Sequence, residues 1–232
     1  MIRKIPNIEK CKICIIGLGY VGLPLAVEFS KRKKDDEFIC ENINRDVIGF
    51  DIDDERVSEL NNFTDRTKEV EVGLLRNLKN LKFSSKENEI ADSDVFIITV
   101  PSPIDNSNNP DLSFLKASIY LITRLLRSKK GNNNRNSKFI IVESTVFPGF
   151  TEEICIPIIE KETNLILNKD FFVGYSPERI NPGDKEHRID KIVKITSGSD
   201  ALSSDWIDKL YKSIIKVGTC KAENIKVAEA AK

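Results

Sequence analysis

The feature that most restricts how this chain can fold lies near its N-terminus. There Ile13-Cys14-Ile15-Ile16 runs into G-L-G-Y-V-G, from Gly17 to Gly22, and on into Leu-Pro-Leu-Ala-Val-Glu-Phe. An apolar run, three spaced glycines and an apolar-periodic segment read as strand, tight turn and helix. Gly17 permits the turn, Gly19 lets the backbone approach a pyrophosphate, and Gly22 lets the helix pack closely on the strand. Phosphates would sit at the helix N-terminus, where free N–H groups favour an anion.

The same alternation continues along the chain. Strand-like runs fall at Lys12–Ile16, Val47–Asp51, Val95–Val100, Phe139–Glu143, Phe171–Gly174 and Ile192–Thr196, with a short one at Ile214–Val217. Helical patterns occupy Val21–Lys34, Asp54–Asn61, Val70–Leu78, Leu112–Ser128, Thr151–Glu162 and Asp200–Lys212. Strands alternating with helices predict an α/β fold: a Rossmann-like, doubly wound parallel sheet with helices on both faces. The runs at Val95 and Phe139 are almost continuously apolar, as suits strands buried on both faces. Two charged segments, Lys31–Asp46 and Arg127–Lys138, read as surface loop extensions.

Composition excludes some classes. Lys+Arg and Asp+Glu balance at 36 each, so the chain has no basic field for non-specific nucleic-acid binding. The N-terminus has no apolar signal core, and no run approaches the roughly 20 apolar residues of a membrane span. A soluble, cytoplasmic protein is expected, with neither nucleic acid nor membrane as partner. The five cysteines are scattered and odd in number, which argues against a disulfide framework. Cys11 and Cys14 form a C-x-x-C, but Cys14 lies inside the first strand pattern and no second pair stands at metal spacing, so no metal site is expected.

Candidate ligand groups gather at strand ends. The second strand closes on Gly49-Phe50-Asp51, and a carboxylate there binds adenosine ribose hydroxyls and repels a 2′-phosphate, which favours NAD over NADP. Asp53 or Asp54 suits the N-cap of the following helix better than Asp51 does. Arg56, a turn further on, reaches the cofactor's ribose or phosphate, or is a plain surface arginine. The later strands end in Val100-Pro101-Ser102-Pro103, in Ser144-Thr145-Val146-Phe147-Pro148-Gly149 and in Ser176-Pro177-Glu178-Arg179. Prolines, hydroxyls and a carboxylate thus share one rim with the glycine turn and outline a single cleft.

The segments G-L-G-Y-V-G-L-P-L-A, G-F-D-I-D, V-P-S-P, E-S-T-V-F-P-G, G-Y-S-P-E-R-I-N-P-G and A-E-N-I-K-V-A-E-A-A-K occur in that order. In them the chain resembles the N-terminal half of the UDP-glucose/GDP-mannose dehydrogenase family. The form P-E-R-I-N-P-G-D-K-E-H-R is most similar to the UDP-N-acetylhexosamine 6-dehydrogenases of polysaccharide biosynthesis. The resemblance implies two successive hydride transfers from C6 of a nucleotide sugar to two NAD+, passing through an aldehyde and a cysteine thioester to a carboxylate. By motif position it implies that Gly17, Gly19, Tyr20, Val21, Gly22, Asp51, Arg56, Ser102 and Thr145 contact NAD. Thr145 would also hold the catalytic water or oxyanion, and Glu178 would be the acid/base group for thioester hydrolysis. Glu178, Arg179, Ile180, Asn181, Pro182 and Lys232 would line the sugar, with Lys232 stabilising negative charge at C6. Ser102 stands where threonine is more usual and keeps the hydroxyl. His187 and Arg188 match the H-R of the acetylhexosamine subgroup and either approach the substrate or belong to a surface loop.

The family's nucleophilic cysteine lies in a glycine-rich segment beyond the position of Lys232, and none of the five cysteines here stands in that motif. The expectation is therefore residues 1–218 as the NAD-binding domain and 219–232 as the truncated start of a connecting and dimerising helix. An apolar face of that helix, formed by Ile225, Val227, Ala228 and Ala231, would await a cover, and the UDP-binding C-terminal domain is absent. A longer protein built this way would be a homodimer or larger. Two functions stand open: part of a UDP-sugar 6-dehydrogenase, inactive alone for want of the cysteine, or an NAD-binding module without full catalysis.

Overall fold

The structure is a computed structural model that describes residues 5–31, 43–104, 109–128, 137–178 and 191–232. Among the described residues the strands are β1 (Ile13–Ile16), β2 (Val47–Phe50), β3 (Leu81–Ser84), β4 (Val95–Ile98), β5 (Lys138–Val142), β6 (Phe171–Tyr175), β7 (Lys194–Gly198) and β8 (Thr219–Lys221). The helices are α1 (Gly22–Ser30), α2 (Asp54–Asn61), α3 (Val72–Asn77), α4 (Glu87–Ile90), α5 (Ser113–Ser128), α6 (Ile156–Thr163), α7 (Ala201–Lys212) and α8 (Ile225–Ala230).

All eight strands form one sheet in the order β3-β2-β1-β4-β5-β6-β7-β8. The chain winds outward from β1 to β3, then crosses back to place β4 on the other side of β1. That reversal leaves a crevice at the C-terminal ends of β1 and β4, where doubly wound sheets bind ligands. β1 to β6 are parallel, as expected. β7 runs antiparallel to β6, and β8 is parallel to β7, so the sheet is not parallel throughout.

Both faces are covered. On one, α1 and α7 pack Phe29, Trp206, Ile207 and Tyr211 against Ile13, Ile97 and Phe139. On the other, α5, α6 and α8 pack Ile119, Ile122, Ile159 and Ala228 against Phe96, Ile98 and Ile140. Phe139 stacks on Trp206 at 3.9 Å and on Phe172 at 5.0 Å, and the Trp206 indole donates to the Pro6 carbonyl at 3.0 Å. Pro6 is thereby pinned across α7.

Several expectations need correction. Ile214–Val217 is a turn, not a strand: Ile214 and Ile215 are buried beneath α7, where both N–H groups donate to Tyr211 O. The strand follows at Thr219–Lys221, whose polar T-C-K reads poorly as a strand because an edge strand has little to bury. It also lies past residue 218, so the sheet outruns the boundary drawn there, and helix begins only at Ile225. β7 starts two residues later than Ile192. Edge strand β3 and the single turn α4 were not foreseen. The Thr151–Glu162 segment opens as a π-turn, Thr151–Cys155, in which Ile156 N–H reaches back to Thr151 O. Pro157 follows at once; it has no N–H to give Glu153 O, and widening the turn relieves its clash with that carbonyl. Of the apolar face expected to be bare on α8, Ile225 and Ala228 are buried in the chain's own core, while Val227 stays exposed.

Candidate active site

The glycine turn is built as the motif requires. Gly17 adopts φ +95°, in the left-handed region that favours glycine. A Cβ on Gly22 would collide with the Gly17 carbonyl and the Thr99 hydroxyl. Thr99 Oγ1 lies 2.8 Å from Gly17 O and 3.0 Å from Ile16 O and so braces the end of β1. Gly19 differs: a Cβ there would meet nothing within 4 Å. The chain's own packing makes no demand for glycine at 19, whereas a ligand lying on the backbone would. Val21, the N-cap of α1, makes no side-chain cap bond, and the first turn of α1 holds no acidic residue. Leu23 N–H already donates to Gly19 O at 3.1 Å, and Pro24 has no N–H. It is the N–H groups of Val21 and Gly22 that this helix end offers to an external anion.

Asp51 is half-buried just past β2. Its Oδ2 accepts from Leu18 N at 2.7 Å and its Oδ1 from Asp53 N at 3.1 Å, so the carboxylate is anchored to the glycine turn. Asp53 is the N-cap of α2, accepting from Glu55 N and Arg56 N. Arg56 is no surface arginine. It is buried, donates from Nε to Leu18 O at 2.9 Å, and pairs through Nη2 with Asp65 Oδ1 at 2.8 Å. It ties the glycine turn to the loop after α2.

A cleft of about 650 Å³ runs along the strand ends and brings most of the expected residues together. Gly17, Gly19, Tyr20, Val21, Asp51 and Arg56 line one end. Ser102, Thr145, Glu178 and Lys232 line the other. Gly22 stands behind the turn as its packing residue. A second, apolar pocket of about 490 Å³ adjoins at Gly17, Asp51 and Ile52, walled by Phe114 and Leu121 of α5. Lys232 Nζ donates to the backbone carbonyl of Glu178. Arg179, Ile180, Asn181, Pro182, His187 and Arg188 lie outside the described residues, as do most of the two charged extensions. The uncapped helix end, the open space over Gly19 and the anchored carboxylate of Asp51 fit a dinucleotide.

Sequence reasoning missed the groups beneath this cleft. Glu143, just after β5, is buried and also lines the cleft. Lys194 of β7, itself buried, places Nζ 2.7 Å from Glu143 Oε2 and 2.8 Å from Glu178 Oε2. Tyr211 of α7 donates its hydroxyl to Glu143 Oε1. Burial pushes the Glu143 carboxyl above its ordinary range despite Lys194. Burial pulls the Lys194 ammonium down, but the two carboxylates outweigh it and hold the group above the usual lysine value. Burial and the Glu143 charge drive the Tyr211 phenol far up, so it stays a donor. The one signal in the sequence is an acidic residue closing an apolar buried strand, F-I-I-V-E. Glu229 of α8 is a second such group: it accepts from Gly149 N at 2.5 Å and Thr151 N at 2.9 Å and fixes the loop that carries Thr145.

Cys11, Cys14 and Cys155 are buried, and burial pushes the Cys11 and Cys155 thiols up to about 12. None of the described cysteines lines the cleft. Among the described residues no cluster of three His, Cys, Asp or Glu could hold a metal ion, and no helix is long and apolar enough to cross a membrane.

Residues 11–215 match the model of the UDP-glucose/GDP-mannose dehydrogenase family, NAD binding domain. The chain is 48% identical over 221 residues to UDP-N-acetyl-D-glucosamine 6-dehydrogenase of Pseudomonas aeruginosa, covering 95% of this chain and 48% of that protein. It is 44% identical over 221 residues to Protein CapL of Staphylococcus aureus, covering 95% of this chain and 47% of that protein. Among solved structures it is similar to the ternary complex of GDP-mannose dehydrogenase from Pseudomonas aeruginosa. There the TM-score is 0.81 at 25% identity, over 95% of this chain and 48% of that one. The chain spans about half the length of the curated relatives it matches.

Proposed function

Because the chain belongs to the UDP-glucose/GDP-mannose dehydrogenase family and carries its NAD-binding domain, we propose that it is the cofactor half of a nucleotide-sugar 6-dehydrogenase. The substrate we propose is a UDP-N-acetylhexosamine, oxidised at its C6 alcohol to the carboxylate with two NAD+. The 6-dehydrogenase relative at 48% identity supports that substrate class. The observation that carries the reading is the single cleft joining the glycine turn to Glu178 and Lys232.

NAD+ supplies the hydride acceptor when bound. The N–H groups at the start of α1 hold its pyrophosphate, with Tyr20 and Val21 on the turn beside it. Asp51 takes the adenosine ribose hydroxyls and excludes a 2′-phosphate. The adjoining apolar pocket suits the adenine. Arg56 acts by fixing the turn through Leu18, and Ser102 closes the cleft above the strand end. Lys232 stabilises negative charge at the C6 oxygen, Thr145 holds the water, and Glu178 takes and returns its proton. Glu178 with residues 179–182 lines the sugar.

A second reading is favoured by one observation: no described cysteine lines the cleft. Without a thiol the aldehyde cannot be carried as an acyl group, so this chain by itself would bind NAD and sugar without finishing the oxidation. We assign the full reaction to a polypeptide that joins this domain to the rest of the relatives' length, as a homodimer or larger. The test is NADH formation, followed by absorbance with UDP-N-acetylhexosamines, by such a polypeptide and by this chain. Two NADH per sugar from the longer protein supports the first reading. NAD+ binding by this chain with no more than one NADH per sugar supports the second.

A further inference from the structure

Thr145 and Lys232, both assigned to the chemistry above, come from parts of the chain that meet only in the fold. Thr145 is exposed on the loop between β5 and the helical segment that begins at Thr151, and Lys232 stands just past α8. Both line the cleft, where Lys232 reaches the Glu178 carbonyl. Glu229 of α8 connects the two. It is buried, and each of its oxygens accepts from a backbone N–H at the far end of the Thr145 loop. Oε2 takes Gly149 N at 2.5 Å and Oε1 takes Thr151 N at 2.9 Å.

The helical segment after the loop has no cap of its own: Phe150, its N-cap, makes no side-chain cap bond. Its start is capped instead by a carboxylate from another helix, which gains from the helix dipole as well as from charge-assisted hydrogen bonds. The near end of the loop is fixed separately. Ser144 Oγ donates to Val100 O at 2.6 Å, and Val146 is buried. Thr145 thus sits on a span tied at one end to the residues after β4 and at the other to Glu229. Glu229 and Lys232 are three residues apart, so a shift of the loop against this carboxylate is a shift against Lys232 as well. An ion pair, Lys226 Nζ to Glu153 Oε1 at 2.8 Å, links the same two elements, but both partners are more than half exposed and hold them weakly.

We propose that Glu229 is a positioning residue: its carboxylate clamps the Thr145 loop to the helix that leads into Lys232, and so sets how the two groups stand across the reacting carbon. The proposal rests on the roles given above to Thr145 and Lys232. Glu229 does not line the cleft and acts only through them.

Two readouts test it. In this chain, NMR follows the Thr145 methyl and the Lys232 side chain, their signals identified by loss in Thr145→Val and Lys232→Arg. In the longer polypeptide, NADH formation is measured for Glu229→Gln, for Thr145→Val and for the pair. Glutamine keeps one acceptor oxygen and sets an NH2 against the other backbone N–H, so one of the two bonds is lost. Both NMR signals should move in Glu229→Gln, and kcat should fall about tenfold to a hundredfold, more than KM for NAD+ changes. In the pair, the loss should be well short of the product of the single losses, because the clamp has no hydroxyl left to place. A merely structural role would lower yield and melting temperature and leave the losses to multiply. Multiplying losses, or NMR changes confined to Gly149 and Thr151, overturn the proposal. Lys226→Ala, which removes only the exposed pair, should match the parent in both readouts; an effect equal to that of Glu229→Gln would overturn it. Should Glu229→Gln fail to fold, Glu229→Asp, whose carboxylate falls one methylene short, carries the same test. If no form makes NADH, the dehydrogenase reading falls and the NMR decides alone: joint movement of Thr145 and Lys232 keeps the clamp, and confined change removes it.

Discussion

The two ends of the cleft are made in different ways. At the glycine turn the arrangement lies in neighbouring residues, and backbone geometry dictates two of them: Gly17 by its φ, Gly22 by the collision any side chain would cause. At the floor, Glu143, Glu178, Lys194 and Tyr211 lie far apart in the chain and are joined only when β5, β6, β7 and α7 pack. The first end is set by sterics over a few ångströms of chain. The second depends on the whole sheet. A turn of the first kind should fail by misfolding locally, and a floor of the second kind by losing its electrostatic balance.

The sharpest way to break this contrast is Gly22→Ala. Its Cβ would strike a backbone carbonyl that cannot rotate away, so a loss of about 2–4 kcal/mol in urea unfolding is expected, together with NAD binding. A stable, binding-competent variant would show that the turn is not sterically fixed.

Next comes Asp65, which accepts from Arg56, Thr67, and the N–H groups of Glu69 and Val70. Burial alone would raise its carboxyl, but the Thr67, Arg56 and backbone bonds hold it below the usual carboxylate range. Its folded-state pKa is thus depressed. The stability it contributes is present above the unfolded value, near 3.9, and is lost as pH falls toward the folded value. Asp65→Asn should cost about 1–3 kcal/mol at pH 7, and urea midpoints should converge with the parent's below about pH 4. A gap that stays constant into acid would contradict the role.

Asp51→Ala should weaken NAD+ binding about tenfold and narrow the preference over NADP+, read by calorimetric titration of both. Unchanged affinity would remove Asp51 from the ribose. The smallest effect belongs to Ser102→Thr, which keeps the hydroxyl. NAD+ affinity should stay within about twofold, and a larger change would mean that the extra methyl meets the ligand.

The same contrast explains what was legible in the sequence. The strands β1, β2, β4, β5 and β6 announced themselves because buried central strands must be apolar throughout, and the glycine spacing marked the first strand–turn–helix unit. Asp51, Ser102, Thr145 and Glu178 were readable from strand ends and Lys232 through the family resemblance, and the structure gathers them into one cleft. β3 and β8 escaped because edge strands bury little. The reversed direction of β7 leaves no local trace, since antiparallel pairing depends on how the chain returns, through residues that no periodicity describes. Ile214 and Ile215 misled because an apolar pair can seal a turn as well as fill a strand. Lys194 and Tyr211 were invisible for the reason that makes them interesting: each looks ordinary until the sheet brings a carboxylate to it. The burial of Arg56 likewise depends on Asp65, nine residues on.

The central claim is that the space over Gly19 is where a dinucleotide lies. Calorimetric titration of NAD+ into this chain and into Gly19→Val, with thermal melting of both, tests it most directly. The account predicts one saturable site in the parent and, in the variant, an unchanged melting temperature with binding reduced at least about tenfold, because a Cβ at this position has no protein atom within 4 Å. Equal NAD+ affinity in the two would contradict it.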